Sequence, residues 1–276
     1  MDMEYMEAGT VKASLEIQHD ELAQLASKSH GRIIPFVAVD PNRPDILKTV
    51  KDLVENRGYR GIKIYPALGY YPTDERLYPV YEYAEKKGIP VMSHCLRNGS
   101  VYSRKKITDD MLTHPITGKL LKKLKPKEFA NYYTDPDNYT KVLSDFPGLR
   151  LCLAHFGGSK EWEHYLYKPW DEHRSEEKSW LAKIMDMIKS EKYPNLYTDI
   201  SYTVLEDEHY FHALKVFMSD GKIRNRILFG SDFYMVELEK MEERKLSIKL
   251  RSVLGENFFT LIADANPSKY LGEIES

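Results

Sequence analysis

An α/β fold of parallel strand–helix–strand units is the class this sequence predicts, and three observations predict it. Short β-branched and apolar runs alternate along the chain with longer segments of helical period. Several of those runs are apolar without period-two alternation, as strands covered on both faces are. Finally, Lys63, His94, His155, Asp199 and Asp232 each stand at or near the C-terminal end of a separate run.

The first run, R-I-I-P-F-V-A-V-D-P from Arg32 to Pro41, reads as a strand closed by a turn. Ile46, Leu47, Val50, Leu53 and Val54 then fall at helical spacing within Pro44 to Arg57. Gly61 to Pro66 gives a second strand, and Leu77 to Lys87 a helix that Gly88 stops. Ile89 to Cys95 is the third strand. A helical stretch at Asn138 to Asp145 and an F-P-G turn lead to the fourth, Leu149 to Phe156. The amphipathic stretch Trp180 to Lys189 precedes a fifth strand, Asn195 to Ser201. Glu208 to Met218 precedes the sixth, R-I-L-F-G-S-D-F from Arg226 to Phe233, and Glu237 to Leu254 and Asn257 to Leu271 read as closing helices.

Composition bounds the function. With 276 residues, 42% hydrophobic and 30% charged, the chain reads as one globular domain over 1–276, with an insertion at about 96–148. A net charge of −2 recommends no polyanionic partner, so nucleic acid is not expected. Cys95 and Cys152 are too few for a disulfide framework. The acidic start lacks the basic and apolar regions of a secretory signal, and no run is long enough to span a membrane. A cytoplasmic protein without membrane association is therefore expected.

The polar strand ends choose the architecture. Catalytic and binding groups converge at the C-terminal ends of TIM-barrel strands, whereas a doubly wound sheet would show a glycine-rich phosphate-binding turn, which this sequence lacks. Gly157-Gly158 reads as a tight turn leaving the fourth strand. Period-two alternation sets His155 beside Leu153 and Leu151, leaving Cys152 on the helix side; both cysteines then serve packing. Two imidazoles and a carboxylate, His94, His155 and Asp232, suit a divalent metal, zinc above all. Lys63, Tyr65 and Arg97 are candidates for binding a small-molecule substrate, with Tyr70 a further pocket candidate. The basic insertion could draw an anion to the barrel mouth. Association into a homo-oligomer is expected, since an open barrel has strand edges to cover.

Taken in order, G-I-K-I-Y-P, V-M-S-H, R-L-C-L-A-H-F-G-G, N-L-Y-T-D-I-S, R-I-L-F-G-S-D and A-N-P-S-K-Y-L-G resemble the metal-dependent amidohydrolase superfamily. The branch most similar also contains the aminocarboxymuconate-semialdehyde and resorcylate decarboxylases. The resemblance covers about residues 32 to 272 and implies a distorted (β/α)8 barrel with metal at its mouth. It implies that His94 is a metal ligand, that His155 joins the metal or polarises the substrate, and that Asp232 is both ligand and general base. The family's first strand ends in H-x-H, which this sequence does not contain. Counting back places M-D-M-E-Y-M at the end of the second strand, so the barrel is expected to be incomplete at its N-terminus, with the first strand missing. The activity implied is metal-dependent hydrolysis of an amide, ester or lactone. The alternatives are non-oxidative decarboxylation and an inactive remnant serving as a binding scaffold.

Overall fold

A computed structural model describes residues 11–98, 110–122, 125–167, 178–203 and 208–274. M-D-M-E-Y-M and part of the insertion lie outside the described residues. The chain forms two compact units, Met1–His94 with Asn98–Arg150, and Cys95–Arg97 with Leu151–Ser276.

The first unit opens with helix α1 (Leu15–Lys28), whose N-cap Ser14 accepts a hydrogen bond from the Ile17 N–H at 3.2 Å. Glu16 in the first turn and Lys28 in the last complement the helix dipole. Then follow β1 (Phe36–Val39), α2 (Ile46–Arg57), β2 (Gly61–Ile64), α3 (Tyr78–Lys87) and β3 (Val91–Leu96), and the strands run parallel. Gly58 and Gly88 both end their helices in the left-handed conformation, which glycine adopts without a Cβ penalty. Lys63 pairs in register with Ala38 and Met92. Part of the insertion forms α4 (Pro126–Thr134) and is followed by α5 (Tyr139–Asp145). Phe129 and Tyr133 of α4 join Tyr71 in a buried aromatic cluster against which Met111, Leu112 and Leu121 pack. The insertion thus packs onto Tyr71 of the connection that follows β2.

The second unit contains β4 (Leu151–Gly157), α6 (Ser159–Tyr167), α7 (Trp180–Lys189), β5 (Leu196–Asp199), α8 (His209–Phe217), α9 (Gly221–Arg224), β6 (Ile227–Leu228), α10 (Phe233–Leu238), α11 (Glu243–Leu254), α12 (Glu256–Thr260) and α13 (Asn266–Leu271). Its strands are also parallel, β4 to β5 to β6. Every residue of β4 is buried, as the unbroken apolar run requires. Asn266 donates from Nδ2 to the carbonyls of Arg224 and Ile227, each at 2.7 Å. The asparagine of A-N-P-S-K-Y-L-G therefore ties α13 to β6.

Three expectations need correction. The sixth strand is short: Phe229 turns its N–H to the Ile262 carbonyl at 2.8 Å, so pairing stops at Leu228 and Asp232 lies beyond the strand. The closing helices are broken, first at Lys240, whose φ of 56° is left-handed, and again by the π-turn Leu261–Ala265. Helices α1 and α6, which the period reading passed over, bury few of their residues: Leu15 and His19 in α1, Glu161 and Trp162 in α6.

Candidate active site

In the first unit, His94 is 7% exposed and its ring stacks on that of Tyr65, with centroids 4.2 Å apart and planes at 28°. Tyr65 is in turn fixed through its backbone N–H, which donates to the Tyr70 hydroxyl at 2.7 Å. That hydroxyl donates to the Val39 carbonyl at 3.2 Å. Tyr70 therefore bolts β1 to the turn after β2. Lys63 lines a cavity of about 470 Å³ whose other walls include Phe36, Ala38, Met92, Leu15 and His19.

In the second unit, β4 ends in an unusual run of backbone. His155, Phe156, Gly157 and Gly158 have φ of 70°, 42°, 84° and 95°, all in the left-handed region. A Cβ on Gly158 would meet Leu96 Cδ1 at 2.1 Å, and one on Gly157 would meet the Leu181 backbone nitrogen at 3.0 Å. The tight turn expected after His155 is present, but it begins at His155 itself, so strand alternation does not set where that ring points. A bulky residue stays left-handed only when its surroundings over-determine it.

Those surroundings can be named. The His155 N–H donates to Asp199 Oδ1 at 3.0 Å, and its carbonyl accepts from the Thr203 hydroxyl at 2.5 Å and from the Gly158 N–H at 2.8 Å. Ring nitrogen Nδ1 lies 3.0 Å from the Ser201 carbonyl oxygen and 3.1 Å from Ser201 Oγ. Asp199 Oδ1 also accepts from the Ser201 N–H at 3.0 Å and from the Ser201 hydroxyl. The Cys152 thiol faces Asp199 Oδ2 at 3.7 Å. His155, Asp199 and Ser201 are 6%, 4% and 7% exposed. Ser201 received no role from the sequence, although D-x-S after a strand is the signature of a carboxylate bonding its own backbone two residues on.

Arg97 sits over the Trp180 ring at 5.6 Å, and its Nε lies 3.8 Å from Glu161 Oε1. Glu161 also accepts from the Trp180 N–H at 2.8 Å, so the arginine completes a buried clamp between α6 and α7. Asp232 has φ 55° and precedes α10 without capping it. It is half-buried, and its carboxylate makes no hydrogen bond or ion pair among the described residues. The partner expected for a strand-end charge is unnecessary there, because Asp232 keeps part of its hydration. Gly230, two residues earlier, runs against Ser201: a Cβ there would lie 3.0 Å from Ser201 Cβ. The β6 exit thus passes the residue that holds His155.

A family model described as amidohydrolase matches residues 4–272. This chain belongs to the amidohydrolase family. Amidohydrolase members are metal-dependent enzymes, and the fold agrees with solved structures of TIM-barrel proteins. An uncharacterized TIM-barrel protein from Bordetella bronchiseptica is 18% identical, with a TM-score of 0.59 over 92% of this chain and 72% of that one. The 2,6-dihydroxybenzoate decarboxylase from Rhizobium is 17% identical, with a TM-score of 0.59 over 94% and 78%. A dihydroxybenzoic acid decarboxylase from Polaromonas, solved with bound manganese and the inhibitor 2-nitroresorcinol, is 14% identical, with a TM-score of 0.55 over 94% and 75%. No curated protein sequence matches significantly.

The metal expectation meets a limit in this amidohydrolase. Among the described residues no group of three or more His, Cys, Asp and Glu side chains gathers to hold a metal ion. These residues do not fit a complete centre for zinc or manganese. Among the described residues, no helix is long and apolar enough to cross a membrane.

Proposed function

We propose that this amidohydrolase moves a proton at a small carboxylated substrate and that its reaction is non-oxidative decarboxylation, with His155 as the proton-transferring group. The placement of His155 carries the reading. A buried imidazole on left-handed backbone, bonded at its N–H, its carbonyl and Nδ1, is held far more firmly than packing requires. The decarboxylases among the similar folds support the substrate class.

In such a reaction the bond from the substrate carbon to its carboxylate breaks and CO₂ leaves with its oxygens. The electron pair stays on the carbon, and a proton from the enzyme takes the vacated position. Asp232 is proposed as a second proton-transferring group. His94 enters as a ligand through the resemblance alone, and Lys63, Tyr65 and Arg97 keep their substrate-binding expectation, each subject to its own substitution. Hydrolysis of an amide, ester or lactone is the second reading, which the family description favours.

The test is turnover of a panel of hydroxybenzoates, followed as CO₂ release, beside a panel of aryl esters, lactones and anilides. Decarboxylation of a hydroxybenzoate that His155→Gln depresses by about 10²-fold or more supports the proposal. Turnover confined to the second panel transfers the reading to hydrolysis. Folded protein that binds but turns over neither would make it a binding scaffold.

A further inference from the structure

Ser201 and Asp199 do more than fill space beneath His155. Two atoms of Ser201 face His155 Nδ1, the carbonyl oxygen at 3.0 Å and Oγ at 3.1 Å. A carbonyl oxygen only accepts. The hydroxyl could act either way, but its proton is directed to Asp199 Oδ1. Its remaining lone pairs therefore face the ring. With two acceptors before it, Nδ1 must carry the hydrogen, and in the neutral ring the lone pair then resides on Nε2.

We propose that Asp199 and Ser201 are positioning residues forming a tautomer lock: the carboxylate orients the Ser201 hydroxyl, and Ser201 holds His155 in the Nδ1–H form. The lock rests on the reading of His155 as the working imidazole, since it reserves Nε2 as the nitrogen that takes up a proton and passes it to the substrate carbon. The geometry assigns each group one task. Asp199 Oδ1 takes the hydroxyl proton together with the N–H groups of Ser201 and His155, so the same carboxylate aligns the ring's backbone and its hydrogen-bond partner. Gly230 leaves room for this, because a side chain there would press on Ser201 Cβ.

Long-range ¹H–¹⁵N spectra of the full chain, labelled at histidine and recorded at alkaline pH, read the tautomer directly, with His155→Gln assigning the signals. The wild type is expected to show a pyrrole-type Nδ1 and a pyridine-type Nε2. Asp199→Asn keeps an oxygen acceptor and should leave that pattern in place. Ser201→Ala takes away the hydroxyl but leaves the backbone carbonyl, so it and Asp199→Ala should move the two ring shifts part of the way toward each other, and Ser201→Thr should restore them. Where turnover is measurable, Ser201→Ala should lower kcat by about tenfold with KM little changed, and Ser201→Thr should recover it. An Nε2–H pattern in the wild type, or ring shifts indifferent to Ser201→Ala and Ser201→Thr, would overturn the lock. Wild-type protein with the expected shifts but no turnover of either panel leaves the lock standing and removes the reaction assigned to the site.

Discussion

Asp232 and His155 make opposite demands on the protein, and substitution separates them. Asp232 is half-buried and its carboxylate is unbonded among the described residues, so Asp232→Asn should change stability by no more than about 0.5 kcal/mol. If Asp232 works as proposed, turnover falls while the urea midpoint stays in place; equal loss of both would mark it as structural. His19 offers a pH prediction. It is 6% exposed with Nε2 lacking a hydrogen-bond partner among the described residues, and burial, followed by the nearby Arg43, lowers its pKa below the usual 6.5. The unfolded chain then binds a proton that the folded chain resists, so stability is full above about pH 6.5 and declines as the pH falls from there toward the depressed folded value. Urea unfolding at a series of pH values should show this decline, and His19→Gln should flatten it. A decline of equal steepness in the variant would place its origin elsewhere.

Single elements show where backbone geometry governs the site. At the exit of β4, Gly158 has φ 95° and a Cβ would collide with Leu96 Cδ1. Gly158→Ala should therefore cost about 1–3 kcal/mol, through left-handed strain plus overpacking, and lower the melting temperature. A variant as stable as wild type would show that Leu96 and the turn yield freely. The same turn shows what sequence could and could not reveal. Gly157-Gly158 announced a turn, and the apolar run before it announced a buried strand. Nothing in R-L-C-L-A-H-F-G-G says that left-handed geometry begins at His155, because a bulky non-glycine residue seldom enters that region and no sequence signal marks where it does. At β6 the apolar run R-I-L-F reads as continuous, yet the C-terminal helices recruit the Phe229 N–H and end the strand early. Asp199 was visible as a strand-end acid. Its partnership with Ser201 was written locally, in D-I-S, and its hold on His155 was not, since 44 positions separate the two residues.

For the whole molecule, alternating apolar runs and helical stretches were sufficient to read the βαβ order, because burial on both faces leaves a strong compositional trace. Association leaves a weaker one. Among the described residues β1 hydrogen-bonds along one side only, to β2. A separate apolar surface lies on α10, where Phe233, Tyr234 and Leu238 are 61%, 71% and 58% exposed. Aromatic residues this open and this close together are unusual on a surface that stays in water. The chain of 32.2 kDa should therefore scatter light as a dimer or larger when eluted at micromolar concentration. Tyr234→Glu reports whether α10 is the contact, since a charge placed in a closing apolar interface weakens it without touching the fold of an exposed position. A shift to monomer with unchanged circular dichroism would locate the interface on α10. A dimer that survives the substitution would place the contact away from α10, and a wild type that elutes as a monomer throughout would refute association altogether.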